Sequence, residues 1–226
     1  MQKRAATEAT RKKVMIVDDH PLMRDGLGRL INNQPDLLVC GEASEAPEAL
    51  SIAKTSHPDL AIVDISLRTS SGLDLIKDLH ARYPRLLILA LSMHSEDLYA
   101  ERALSAGARG YIMKSEPADK VLNSLRKVLN GQPAVSEHMI DRLIHITGHG
   151  IPVSDHPAVD ALSDRELDIF RLLGEGHSTR EIATDLHLAV STVESYRASI
   201  KQKLSIRNAT ELVSRAALFV SSESGG

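Results

Sequence analysis

Five short apolar runs recur between residues 14 and 113, and a segment with helical spacing follows each of them. The runs cover about residues 14–17, 37–40, 60–64, 86–91 and 110–113. They have no polar face, which is typical of strands that are buried on both sides of a sheet. Parallel strands need crossover connections, and these are right-handed. The alternation therefore predicts an α/β domain over residues 14–131, with a parallel sheet between two layers of helices.

The ends of the intervening helices carry local signals. Pro21 and Pro117 suit a first helical turn, and Ser71 suits an N-cap. Pro58 and Pro84 each come just after a helix, because the residue before proline disfavours helical geometry. The predicted helices cover about residues 21–31, 45–56, 72–83, 95–106 and 117–130.

Polar side chains follow four of the five predicted strands. They are Asp18 and Asp19 after the first, Asp64 at the end of the third, Ser92 after the fourth and Lys114 after the fifth. Alone, Asp64 would be interpreted more simply as a helix cap. In the flavodoxin-like strand order 2-1-3-4-5, however, the first and third strands are neighbours at the point where open α/β sheets bind ligands. Neighbouring strands lie about 4.8 Å apart, so the carboxylates are expected to converge, with Ser92 and Lys114 beside them.

Three converging carboxylates repel one another, so the site should need a hard cation, and its oxygen donors suit Mg²⁺. The lysine and the hydroxyl could bind the oxygens of a phosphoryl group. Residues 14–131 thus resemble the receiver domain of two-component response regulators. That domain has an acidic pair after the first strand, aspartate in the third, serine in the fourth, and an aromatic residue with lysine in the fifth.

The resemblance implies a role for each residue. Asp64 would accept a phosphoryl group from the phosphohistidine of a sensor histidine kinase. Mg²⁺ would be bound by three carboxylates and one backbone carbonyl, those of Asp18, Asp19, Asp64 and Ser66. Lys114 would pair with the phosphoryl oxygens and Ser92 would move to hydrogen-bond one of them. Tyr111 would then turn inward to fill the vacated space.

Two positions depart from the receiver pattern, since proline is common where this chain has Arg68 and Ser115. The bond before the second of these prolines is cis in receivers, and a cis bond without proline costs about 3 kcal/mol. A phosphorylation-independent transcriptional regulator with a receiver-like domain therefore stays an alternative. An aspartyl phosphohydrolase is a further one, but such enzymes typically need a second acid where this chain has Ser66.

The segment over residues 159–222 changes character, because it has no strand-like runs and contains Ser-x-x-Glu three times. These pairs, Ser163/Glu166, Ser178/Glu181 and Ser191/Glu194, are capping-box signatures and predict three helix starts. A fourth helix is predicted over about residues 209–220. Residues 179–186 and 191–204 would form a helix-turn-helix.

This all-α, four-helix segment is similar to the LuxR-type DNA-binding domain, and receiver plus this domain makes the NarL/FixJ class of response regulators. The resemblance implies a phosphorylation-controlled transcription factor that binds double-stranded DNA as a homodimer. Segment 160–226 has 8 Lys/Arg and 10 Asp/Glu, so it is not basic as a whole. The second helix of the motif, however, carries Arg197, Lys201 and Lys203 against Glu194, and this local excess of positive charge suits insertion into a DNA groove. The candidate DNA contacts are Thr192, Glu194, Ser195, Arg197, Ala198, Lys201 and Lys203.

Two roles in this domain stay open. The family commonly has serine as the helix cap where this chain has Ala189, so the helix could begin at Ser191 instead. Glu194 would then be a capping partner and not a reader of bases. The last helix places four side chains in one stripe that could pack inside the domain or join two copies on DNA. They are Leu212, Val213, Ala216 and Val220.

The remaining segments carry weaker signals. Residues 1–13 are predicted to be a disordered basic tail, and residues 132–158 a linker helix followed by a flexible tether. Four histidines in or near this connector lack the spacing and the partners of a metal site, namely His138, His145, His149 and His156. The longest apolar run, residues 86–91, is far too short to span a membrane, and no signal peptide is evident, so a cytoplasmic protein is predicted.

Overall fold

The computed structural model describes residues 11–67, 71–94, 96–141 and 159–223. The chain divides into two compact units, residues 1–144 and 145–226, and each is described by itself. Several sequence predictions concern residues outside the described ranges: Arg68, most of the basic tail, the tether, and His145, His149 and His156.

The first unit is a five-stranded parallel sheet with strand order 2-1-3-4-5, which confirms the predicted topology. The strands are β1 (Lys12–Val17), β2 (Leu37–Ala43), β3 (Leu60–Asp64), β4 (Leu87–Ser92) and β5 (Gly110–Met113). The helices are α1 (Pro21–Asn32), α2 (Ala46–Ser56), α3 (Gly72–Arg82), α4 (Glu96–Ala106) and α5 (Ala118–Leu129). Lys12 and Lys13, assigned to the tail from the sequence, extend β1, and Asp59 accepts a hydrogen bond from each of them.

The core explains why these runs form strands. Every residue of β3 is buried, as expected for a central strand that is covered on both faces. Side chains of α1 and α5 pack over one face of the sheet, including Leu27, Ile31, Leu125 and Val128. Burial of this apolar surface contributes roughly 25 cal/mol per Å² and is the main favourable term that holds the helices on the sheet.

Helix α3 begins directly behind the end of β3. The hydroxyl of Ser71 accepts a hydrogen bond from the backbone N–H of Asp74 at 3.3 Å, which confirms the predicted N-cap. A Cβ atom at Gly72 would lie only 2.0 Å from the carbonyl oxygen of Asp64. Glycine is therefore required at this position, because the helix must approach the end of the strand so closely.

The first residues of the predicted connector cover the outer edge of β5. The backbone N–H of Tyr111 donates to the carbonyl of Ala134 at 2.8 Å, and the N–H of Ala134 donates to Arg109 at 3.1 Å. The N–H of Ser136 donates to the Glu96 carboxylate at 2.8 Å, and Met139 is fully buried. Residues 134–139 thus pack as part of the first unit.

The second unit contains four α-helices within residues 159–223, as predicted. They are α6 (Asp164–Gly174), α7 (Thr179–Asp185), α8 (Val190–Lys203) and α9 (Ala209–Glu223), after a short 3-10 turn at Val159–Ala161. Both halves of the capping box are present at Ser163/Glu166 and at Ser178/Glu181, so two of the three predicted boxes are confirmed.

The third predicted capping box is wrong. Helix α8 begins at Val190 after Ala189, whose backbone is extended and whose side chain makes no cap bond. His187 adopts a left-handed conformation with φ 53°, and the N–H of Leu188 donates back to Ala183. This tight turn starts the helix before Ser191. The carboxylate of Glu194 lies beside Arg197 and is not a capping partner.

Helix α9 packs its apolar stripe into the domain. Leu212 and Ala216 are fully buried, and the rings of Phe170 and Phe219 lie 5.6 Å apart. The side chains of Leu212 and Ala216 therefore cannot contact a second copy of the chain, so the predicted dimer role is wrong for these two residues. Val213 and Leu218 remain exposed on the same helix.

Candidate functional site

Four acidic or imidazole side chains converge where β1 and β3 end. Ligand atoms of Asp18, Asp19, His20 and Asp64 all lie within 4.8 Å of one another. Asp18 and Asp64 are fully buried, and Asp19 is 8% exposed. The side-by-side pairing of β1 and β3 brings these residues together, as the strand order predicted.

Lys114 closes the cluster from the end of β5. Its ammonium nitrogen lies 2.7 Å from Asp64 Oδ2 and 2.8 Å from Asp18 Oδ2, and the side chain is only 4% exposed. Burial raises the pKa of Asp64 even though the charge of Lys114 opposes that change. Burial also disfavours the charged ammonium of Lys114, but the neighbouring Asp64 and Asp18 outweigh it and raise the lysine pKa. The lysine is therefore a firmly protonated cation shared by two carboxylates.

Ser92, Tyr111 and His94 border the other side. The buried Ser92 hydroxyl accepts a hydrogen bond from the N–H of His94 at 2.9 Å, and the Tyr111 hydroxyl donates to the His94 carbonyl at 2.9 Å. Tyr111 is 4% exposed, so its ring lies in the inward position. The N–H of Ser66 donates to Asp64 Oδ1 at 3.0 Å. All peptide bonds of the described residues are trans, including Lys114–Ser115.

The donor set fits Mg²⁺. Three carboxylates meet one lysine, so the cluster keeps an excess of negative charge in a place with little water. A divalent cation with oxygen ligands offsets that charge, and carboxylate oxygens are the ligands that Mg²⁺ prefers. Asp18, Asp19 and Asp64 are the residues that could hold it.

The exposed face of α8 is a second candidate site. Glu194, Ser195 and Ala198 are exposed on it, whereas Val193 and Ile200 are buried against the rest of the domain. The guanidinium of Arg197 donates to the hydroxyl of Thr179 on α7 and lies 3.0 Å from Glu194 Oε1. The other predicted contacts lie at the flanks of this face. Thr192 and Lys201 are half-buried, and Lys203 is exposed.

Both halves of the chain match known families. Residues 14–126 match the family model of the response regulator receiver domain, and residues 160–216 match that of the bacterial regulatory proteins of the luxR family. The oxygen regulatory protein NreC of Staphylococcus carnosus is 32% identical over 209 residues, which cover 90% of this chain and 96% of NreC. The chain belongs to the LuxR-type response regulators.

Solved structures of response regulators agree with this assignment. A LuxR-family response regulator from Aurantimonas sp. SI85-9A1 is 29% identical and covers 62% of this chain and 99% of its own, with a TM-score of 0.56. RcsB from Salmonella enterica is 23% identical and covers 92% and 98%, with a TM-score of 0.59, which shows the same fold. None of the described helices of this response regulator has the length and apolarity to cross a membrane.

Sequence reasoning identified Asp18, Asp19, Asp64 and Lys114 but missed two histidines of this response regulator. His20 Nδ1 lies 2.9 Å from Asp19 Oδ1, and its position directly after the acidic pair could have indicated it. His94 Nε2 lies 3.3 Å from Ser66 Oγ, and its ring stacks on Tyr99 at 4.9 Å. Nothing in the sequence connects Ser66 with a residue 28 positions away, so only the fold shows this contact.

Proposed function

We propose that this response regulator accepts a phosphoryl group on Asp64 from a sensor histidine kinase and that phosphorylation controls dimerisation and sequence-specific binding to double-stranded DNA. The observation that carries the proposal is the position of Asp64, a buried carboxylate with Lys114 on one oxygen and two further aspartates beside it. A transcription regulator with both domains needs a chemical input, and this is the place in the receiver domain that is suited to receive one.

The geometry of the cluster supports the following transfer. A carboxylate oxygen of Asp64 attacks the phosphorus of the phosphohistidine, the P–N bond breaks, and the imidazole leaves with the electron pair. Lys114 neutralises phosphoryl oxygens as they approach, and it is already oriented by Asp18. Asp18, Asp19, Asp64 and the Ser66 carbonyl would hold Mg²⁺, whose positive charge would offset the repulsion between the carboxylates and the phosphoryl group.

Ser92 and Tyr111 would transmit the change. The Ser92 hydroxyl accepts a hydrogen bond from the His94 N–H, and it would move to donate its own proton to a phosphoryl oxygen. That movement would break the bond to His94 and free the loop after β4. Tyr111 already lies inward and is bonded to the carbonyl of the same His94, so it would hold the released loop and need not turn inward as the resemblance implied. A phosphoryl group adds roughly two negative charges, enough to bias such a two-state element.

The DNA-binding half of the proposal rests on α8. Its exposed face carries short side chains and Glu194, while cations lie at its flanks, an arrangement that suits entry into the major groove between two phosphate backbones. The fold relative RcsB was solved on promoter DNA in the presence of a phosphomimetic, and RcsB dimers were solved on DNA. Val213 and Leu218 are the exposed apolar side chains of α9 that a second copy could cover.

Phosphorylation with a small acyl phosphate and Mg²⁺ tests the proposal. We expect one phosphoryl group per chain by intact mass, loss of that adduct in Asp64→Asn, and retention in the control Asp78→Asn, whose carboxylate is on the surface. Footprints on DNA selected from random duplexes should show two half-sites, with tighter binding after phosphorylation. A wild-type chain that is never labelled, yet binds the same DNA, would instead establish the phosphorylation-independent regulator.

Measured turnover of a phosphomonoester would favour the phosphohydrolase. The structure offers little for that reaction, because Ser66 occupies the place of the second acid and its hydroxyl lies 3.3 Å from His94. A cytoplasmic location remains a prediction, which fractionation of cells that make the tagged chain would test.

A further inference from the structure

Glu166 joins two helices of the DNA-binding domain. It stands in the first turn of α6, where its carboxylate accepts the N–H of Ser163 at 2.7 Å as part of a capping box. Both of its oxygens also reach α8: the Ser199 hydroxyl donates to Oε1 at 2.6 Å, and the Lys203 ammonium donates to Oε2 at 2.6 Å. Glu166 is 3% exposed, so its carboxylate has little contact with water, whereas the Lys203 side chain is 39% exposed.

Glu181 provides a natural comparison. It holds the same position in the capping box of α7 and accepts the N–H of Ser178 at 2.7 Å. Its side chain is exposed, and its described hydrogen bonds stay within that box. Capping alone therefore requires neither burial nor a contact with α8, and the additional bonds of Glu166 need another explanation.

The positions of Ser199 and Lys203 on α8 supply it. They are four residues apart and share one flank of the helix, between its buried face and its exposed face. Arg197 lies on the opposite flank and donates to Thr179 of α7. Besides the buried Val193 and Ile200, the helix is thus held on both flanks, and these contacts constrain its rotation about its own axis.

We propose that Glu166 is a positioning residue for the recognition helix, and that Lys203 serves this purpose instead of contacting the DNA backbone. The inference rests on the proposed DNA binding by α8 and names which residues orient it. The Lys203 side chain is 39% exposed, but its ammonium is held by Glu166 at 2.6 Å. A phosphate group that drew the ammonium away would leave a buried carboxylate without its cation, which is strongly unfavourable. Lys203 therefore leaves the set of candidate DNA contacts.

Salt dependence of DNA binding tests the role of Lys203. The full chain is titrated with a duplex selected from a random pool and with a random-sequence duplex, at several salt concentrations. Each phosphate contact adds about 0.9 to the slope of log K against log salt. We expect Lys203→Met to keep the wild-type slope while its affinity for the selected duplex falls. A slope reduced by about 0.9 would overturn the proposal.

Affinity and selectivity test the role of Glu166. We expect Glu166→Gln to lose at least tenfold in affinity for the selected duplex but less than twofold for the random one. The control Glu181→Gln should change neither by more than twofold. Equal losses by the two glutamate variants, or an equal loss on both duplexes for Glu166→Gln, would contradict a positioning role.

A second variant protects the test if Glu166→Gln fails to fold. Ser199→Ala removes one bond to α8 and leaves the capping box intact, so thermal unfolding should stay close to wild type while selectivity between the duplexes falls about threefold. Unchanged selectivity in a folded Ser199→Ala would also overturn the inference. If the wild-type chain bound neither duplex, the proposed DNA binding itself would fail, which is a distinct result.

Discussion

Each of the two units buries a carboxylate against a lysine, yet the two arrangements differ in their balance of charge. In the receiver domain, Lys114 is shared by Asp18 and Asp64, and Asp19 stands beside them. In the DNA-binding domain, Glu166 has Lys203 to itself, together with a serine hydroxyl and the N–H of Ser163.

The difference is visible in the two pKa values. Burial raises the pKa of Asp64, because one shared lysine does not compensate for it. Burial opposes the charge of Glu166 as well, but Lys203, Ser199 and Ser163 outweigh it and lower the pKa of Glu166 to about 2. A carboxylate whose charge is only partly compensated favours binding of a cation, whereas a fully compensated carboxylate stabilises the contact that it makes. Carboxylate and lysine thus form an under-compensated cluster in one domain and a compensated joint between two helices in the other.

Removing the shared lysine should give the largest effect. Lys114→Met leaves buried carboxylates without a cation, and breaking such a pair costs about 3 kcal/mol at neutral pH. The loss in free energy of unfolding should shrink as the pH falls from 7 to 5. Without Lys114, the already raised pKa of Asp64 rises further, so the carboxyl takes up a proton and its buried charge disappears. Calorimetric unfolding of the full chain at both pH values measures this. The control Lys120→Met, on an exposed pair with Glu116, should change little at either pH. A deficit that does not depend on pH would mean that charge is not its cause.

Magnesium should stabilise the receiver domain, whose cluster has an excess of negative charge, and not the DNA-binding domain. At a concentration a hundredfold above its dissociation constant, a ligand that binds the folded state alone adds about 2.7 kcal/mol. We expect Mg²⁺ to raise the unfolding temperature of the receiver domain and to leave that of the DNA-binding domain unchanged. Asp19→Asn should weaken the effect, whereas Asp78→Asn should retain it. An equal shift in KCl of matched ionic strength would exclude a specific site.

Acid should weaken the contact of Glu166 with Ser199 and Lys203. The pKa of Glu166 is about 2 in the folded protein, against an ordinary 4.5. Its contribution to the free energy of unfolding is therefore complete above pH 4.5 and is lost as the pH falls towards 2. The full shift would correspond to about 3.4 kcal/mol. The Lys203 side chain is 39% exposed, so solvent screens the pair and we expect a contribution on the order of 2 kcal/mol. Glu166→Gln should therefore destabilise the DNA-binding domain at pH 7 and differ much less from wild type near pH 2.5. A constant difference across this range would show that the carboxylate charge contributes nothing.

Glu181→Gln should give the smallest effect. This carboxylate caps α7 but is exposed and, among described residues, bonds only within its box. Its pKa is lowered by the hydrogen bonds of Ser178, so any loss of stability should follow the same direction with pH as for Glu166 but be far smaller. A loss of stability as large as that of Glu166→Gln would show that the contacts of Glu166 with α8 add nothing to its capping role.

The predictable part of this molecule is what depends on local order along the chain. Apolar runs, helix caps and the alternation of strands and helices placed Asp18, Asp64 and Lys114 at strand ends along the same edge of the sheet without any knowledge of contacts. The contact between Glu166 and Lys203 spans 37 residues and depends on how α6 crosses α8, for which the sequence holds no periodic signal.

Two predictions in the DNA-binding domain, the start of α8 and the face of α9 that is buried, were wrong or undecided for local reasons. Ser191 and Glu194 form a good capping pattern, but the turn through His187 starts the helix one residue before Ser191 and places that pattern inside it. Leu212 and Val213 are adjacent and apolar, so the sequence does not tell which of them faces the core. Packing against α6 decides it in favour of Leu212.

The chain that covers β5 determines where this protein can be divided. A fragment that ended at residue 131, the predicted end of the receiver domain, would lose the hydrogen bonds of Ala134 to Tyr111 and Arg109 and the buried side chain of Met139. It would carry an open strand edge, and such edges join to one another between molecules. Two such fragments could pair through β5 whether or not Asp64 is phosphorylated. A receiver fragment that extends through residue 141 avoids this artefact, so a dimer that it forms on phosphorylation can be attributed to Asp64.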